Sequence, residues 1–241
     1  CFSGIAHRGI RIERIHPNGD QNAVRHHLFG EIDFETAKKN PVAALDGLVG
    51  RFAVRAFRRP ATGEQLAPYR DLAQTALANG ESFEDALRGA YIAILCSPRF
   101  LTFTEKTGPL DDYALASRLS YALWVSQPDK ALMEAADEGT LRDSKILDAQ
   151  IDRMLADAKF ERFLHSYTDQ WLKLNEIDFT NPDPRRFSTF DPVLQESMLL
   201  ETPAFLREMI QSDLGAAGLV DSDFAFWNER LARHYKVDAK L

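Results

Sequence analysis

The sequence predicts an all-α protein, a compact array of about nine helices that follows a short β-like or irregular N-terminal segment. Three observations carry that expectation. From residue 40 onward, apolar residues recur at the i, i+3, i+4, i+7 spacing of a helix with one buried face. Capping residues and helix stops punctuate this pattern at lengths typical of globular helices. The connections are short, and no repeat of fixed period runs through the chain.

Residues 1–40 read differently. Ile10 and Ile12 alternate with Arg11 and Glu13, the period of a half-buried strand, and Pro17-Asn18-Gly19-Asp20 supplies turn chemistry. This segment is expected to be the tail of an element that began upstream. Asn40 then caps a helix with Pro41 at its first position, and Leu45, Leu48, Val49, Phe52, Ala53 and Phe57 form its buried stripe until Pro60 stops it. A second helix runs from Thr62 to Asn79 on Leu66, Tyr69, Ala73 and Leu77, with Gly80 as its stop. Ser82 opens a third, with Glu84 and Asp85 in its first turn, which Pro98 ends.

A polar break from Thr102 to Pro109 separates a small helical domain, residues 41–102, from a larger one, residues 111–241, expected to continue past the end of the chain. In the second domain Asp111 caps a helix carrying Leu115, Leu119, Ala122 and Leu123. Ser126-Gln127-Pro128-Asp129 turns into a short helix that stops at Gly139. Ser144 is expected to cap the next helix, and another carries Phe160, Phe163, Leu164, Tyr167 and Trp171. Residues 181–192 form an extended loop. Asp191-Pro192 opens a long helix with Pro203 inside it, and a short helix near residues 228–235 closes the chain.

Composition narrows the function. The 241 residues are 45% hydrophobic and 27% charged, a globular balance, and 16 phenylalanines make aromatic packing prominent. A formal charge of −7 argues against a general nucleic-acid binder. No apolar run reaches the roughly 20 residues of a membrane span. The two cysteines, Cys1 and Cys96, form no CxxC or CxxCH, so no zinc ribbon or covalent haem site is encoded here, and Cys96 is expected to be a buried thiol.

Candidate chemistry is sparse. His165 and Asp169, four apart, share a helix face and could supply two metal ligands, but no third ligand follows at a recognisable spacing. His26 and His27 are adjacent, an arrangement poorly suited to chelating one ion. Arg51, Arg55, Arg58 and Arg59 make a basic stripe at a helix C-terminus, where cations favour the dipole. Asp178, Asp183, Asp191, Glu196 and Glu201 gather around the proline-rich loop, where two carboxylates could act as acid and base. Arg118, Gln170, Asn228 and Arg230 stand among apolar positions, where hydrogen-bonded links between helices account for them. No GxSxG, P-loop, HExxH, dinucleotide-binding or EF-hand pattern occurs.

Several strings matter together. Residues 52–60 (FAVRAFRRP) and 97–101 (SPRFL) resemble one helical module; 115–124 (LASRLSYALW), 126–129 (SQPD), Gln170-Trp171-Leu172, Glu201-Thr202 and 228–235 (NERLARHY) resemble a second. Together they resemble two adjacent domains of unknown function from large, multidomain envelope proteins abundant in planctomycetes, over about residues 42–238. The resemblance implies an exported protein of the periplasm or cell envelope, often carrying a c-type cytochrome domain upstream and helical domains downstream. It implies haem c elsewhere in such a protein and no cofactor here. Its partners would be other domains of the same polypeptide and envelope proteins. It assigns no catalytic residue, and Arg55, Arg59, Arg118, Trp124, Gln170, Trp171, Glu201, Asn228, Arg230 and His234 stand at motif positions as structural anchors. The leading expectation is thus a scaffold or interaction region. The alternative is an envelope or extracellular carbohydrate-active enzyme using acidic residues between Asp178 and Glu201, beside Trp171, Phe179, Phe187 and Phe190.

Overall fold

The computed structural model describes residues 37, 39–103, 105, 107–179 and 182–237. The strand and turn expected over residues 10–20, Cys1, and the His26-His27 pair lie outside them. Ten α-helices and three short 3₁₀ turns account for the regular structure, and no strand occurs among the described residues. The helices fall into two compact units, residues 1–101 and 102–241.

The first unit packs α1 (Pro41–Phe57), α2 (Gly63–Ala78) and α3 (Phe83–Leu95), with the four-residue α4 (Pro98–Leu101) beyond them. Local chemistry starts each of the three long helices. Asn40 accepts from the Ala43 N–H ahead of Pro41, Thr62 and Gln65 form a reciprocal capping box, and Ser82 accepts from the Asp85 N–H. The core is Leu45, Val49, Ala53, Leu87, Ala90 and Ile94, all fully buried. Each large aliphatic among them contributes about 1.5–3 kcal/mol by leaving water. Phe52 lies flat on Tyr91, with ring centroids 3.8 Å apart and planes 8° from parallel.

Two details of this unit depart from the expectations. Cys96 is exposed rather than buried. α3 ends at Leu95, and the inward line Phe83, Leu87, Ala90, Ile94 continues to Ser97 instead, whose hydroxyl donates to the Ile94 carbonyl at 2.6 Å. Nor do the four arginines form one basic stripe. Arg51 and Arg55 are exposed and Arg59 is half-buried, but Arg58 is buried at a left-handed φ of 59°. Its guanidinium donates to the carbonyls of Arg99 and Phe100 at 3.2–3.3 Å, fastening α4 to the end of α1.

The second unit holds α5 (Asp112–Trp124), α6 (Lys130–Asp137), α7 (Ser144–Ala156), α8 (Glu161–Leu172), α9 (Pro192–Gln211) and α10 (Glu229–Tyr235). Asp111, Asp129, Asp191 and Asn228 cap α5, α6, α9 and α10. The cap of α7 is Asp143, one residue before the expected Ser144, because its carboxylate reaches the N–H groups of Lys145 and Ile146. Pro203 is buried within α9, which continues past it.

The packing of α5 was also only half anticipated. Leu115, Leu119 and Leu123 are partly buried and Ala122 is exposed, while Ala116, Ser117, Ser120 and Trp124 take the innermost positions. Small side chains let neighbouring backbones approach, and the volume is filled by the Trp124 indole among Leu132, Leu141 and Met154. A second cluster of Phe160, Leu164 and Leu206 joins α8 to α9.

Candidate functional site

The sequence of α8 places Phe163, Tyr167 and Trp171 at successive i, i+4 positions, hence on one helical face. The rings run as a ladder: Phe163 and Tyr167 are stacked at 5.4 Å, and Tyr167 and Trp171 are tilted by 42° at 5.7 Å. This face and Tyr121, Ala122 and Val125 of α5 border an open groove of about 550 Å³. Tyr167 is 42% exposed and Trp171 50%. Ser166 and Gln170 complete the groove on α8, and the Gln170 amide donates to the Ser166 hydroxyl at 2.9 Å. None of the residues bordering it carries a charge. Val125 ends α5 at a left-handed φ of 51°, a costly conformation for a β-branched residue.

A second constellation surrounds the buried Trp124, with half-buried charged groups at its edge. Trp124 donates its Nε1–H to the Met154 carbonyl at 3.0 Å. The Lys159 ammonium sits 4.1 Å from its ring centroid and the Arg153 guanidinium 5.2 Å away. Arg153 in turn grips both carboxylate oxygens of Asp129, at 2.7 and 3.2 Å, while Asp129 caps α6. Burial pushes the Asp129 carboxyl up. The Arg153 hydrogen bonds, the Leu132 N–H and the charges of Arg153 and Lys159 outweigh that and hold it below the usual carboxylate range.

A third constellation binds α10 to α9. Asn228 caps α10 and donates to the Ser197 hydroxyl at 2.9 Å. Arg230 donates to the Thr189 carbonyl and to Asp191, 2.8 Å away. The Leu194 N–H, then Arg230, hold the Asp191 carboxyl below its ordinary range. The Tyr235 hydroxyl donates to Glu201 at 2.9 Å, and burial followed by this bond raises its pKa.

The remaining candidates are dispersed. His165 is exposed and Asp169 half-buried on α8, and among the described residues no group of three or more His, Cys, Asp or Glu could hold a metal. Arg118 and Gln170, read in the sequence as helix-joining polar groups, are both exposed. Arg118 pairs with Glu105, its Nε 2.9 Å from the carboxylate, and Gln170 faces the groove. His234 is exposed with its ring against Tyr235. Of the acidic group, Asp183 caps a turn through the Arg185 N–H, Asp191 and Glu201 are engaged with α10, and Glu196 is exposed; the Asp178 side chain lies outside the described residues. Phe179 and Phe187 are exposed.

Sequence reasoning placed Arg58 in a solvated basic stripe and missed Arg153 and Lys159. Their partners lie on other elements, and only the short charged turn at Asp129 was visible.

No curated protein and no solved structure gave a match to this chain. Residues 44–105 match the family model described as PSD5, protein of unknown function (DUF1595). Residues 110–237, more than half of the chain, match the model described as PSD4, protein of unknown function (DUF1592), and the chain therefore belongs to that family, with the PSD5 domain preceding it.

Proposed function

We propose that the chain is a helical scaffold and interaction region of an exported, cytochrome-c-associated multidomain protein of the periplasm or cell envelope. One observation carries the scaffold part: side chains in the motif strings are spent on the chain's own backbone. Trp124 donates to the Met154 carbonyl, Arg58 to those of Arg99 and Phe100, and Arg230 to that of Thr189. Such bonds fix one element against another. Export and the cytochrome association are supported by the resemblance of the same strings to planctomycete envelope proteins. Its partners in this reading are the neighbouring domains of the same polypeptide and other envelope proteins.

The test is fractionation of source cells followed by absorbance spectroscopy of the native protein. Recovery in the envelope fraction with a c-type haem spectrum is the expected result. A native protein confined to the cytoplasmic fraction and lacking haem absorbance would refute the reading.

A further inference from the structure

We propose that the groove between α5 and α8 is a binding site for a neutral glycan. The inference goes beyond the scaffold reading and stands whether or not export and the cytochrome association hold. The groove's volume, about 550 Å³, lies within the range of small-ligand sites. Its chemistry is selective. With no charged side chain at its border, it offers no countercharge to offset the desolvation of a phosphate or a carboxylate. It is not a purely apolar slot either, because Ser166, Gln170, Trp171 and two tyrosines, all with polar groups, are among the residues that line it.

A pyranose has the complementary character, with an apolar C–H face and a rim of hydroxyls that donate and accept. Phe163 and Tyr167 are turned toward each other, so the free aromatic surface is that of Tyr167 and, above all, Trp171 at the open end of the ladder. Half of Trp171 is exposed, and no described residue bonds its indole N–H. An aromatic ring with an unused polar edge is what a sugar contacts with both its face and its rim. The Gln170 carbonyl oxygen one residue earlier is left to accept, since the Ser166 bond uses only the amide N–H. No carboxylate borders the groove, so what these residues offer a sugar is binding.

The test is titration of the folded chain with cellohexaose, xylohexaose, mannohexaose and chitohexaose, followed by tryptophan fluorescence and calorimetry. At least one is expected to bind with Kd on the order of 1 mM or tighter. Trp171→Ala should weaken it at least about tenfold, a change of roughly 1.4 kcal/mol. Gln170→Ala should weaken it less, and Phe187→Ala, at an exposed phenylalanine that does not border the groove, should leave it unchanged. Circular dichroism establishes that each variant is folded. Absence of binding to all four glycans at about ten times that concentration overturns the proposal. So does binding that survives Trp171→Ala.

Discussion

The indole N–H of Trp124 and the carbonyl of Met154 meet at 3.0 Å inside the second unit, and they bond the end of α5 to the last turn of α7. Trp124 is fully buried, so the bond has no competing water. Replacing it with Phe leaves the carbonyl only the Asp157 N–H, 3.4 Å away, and removes part of a large aromatic surface. We expect Trp124→Phe to cost about 2–3 kcal/mol of stability, seen as a lower urea midpoint with an unchanged slope. A wild-type midpoint would show that the contact contributes nothing.

The Asp129–Arg153 pair should make stability depend on acid. The folded-state pKa of Asp129 is depressed, so its contribution is fully present above the ordinary value of 3.8 and is lost as pH falls through the lower folded value. Asn caps a helix as well as Asp, so Asp129→Asn removes the charge and keeps the cap. At neutral pH the variant should be less stable by about 1 kcal/mol, the scale of a partly exposed ion pair. Chemical denaturation at a series of pH values should show that difference closing below pH 3.8. A gap independent of pH would assign it to something other than the carboxylate.

Val125 makes the opposite prediction. A β-branched residue at φ 51° carries a penalty of about 1–2 kcal/mol, of which glycine's extra chain entropy returns roughly half. The side chain is 47% exposed, so little packing is lost with it. Val125→Gly should raise stability by about 0.5–1 kcal/mol in thermal melts. A lower melting temperature would mean that the valine side chain matters more to the groove than its backbone strain costs.

What the sequence disclosed follows from how local each cause is. Asn40-Pro41, Thr62 with Gln65, Ser82 and Asp111 act within one turn of themselves, so those helix starts were legible; Asp143 displaced Ser144 because adjacent residues compete for the same cap. The innermost face of α5 was not legible. Apolar spacing favours Leu115, Leu119 and Leu123, whereas close backbone approach favours Ala116, Ser117 and Ser120, and only the tertiary structure shows which face meets the neighbours. Arg58, Arg118 and Arg153 were obscure for a related reason: their partners lie 13 to 42 residues away. The aromatic ladder was visible as a helical stripe, but a stripe does not say whether it is covered. Exposure of Tyr167 and Trp171 is a property of the assembled unit, and the groove emerged only there.

The central claim is that the motif side chains hold each unit together, and backbone hydrogen exchange of wild type and Trp124→Phe tests it most directly. If Trp124 ties α5, α6 and α7 into one cooperative element, their amides should exchange slowly in wild type and accelerate together in the variant, with α10 changing less. Acceleration confined to the residues beside position 124, with α6 and α7 at wild-type rates, would contradict the claim.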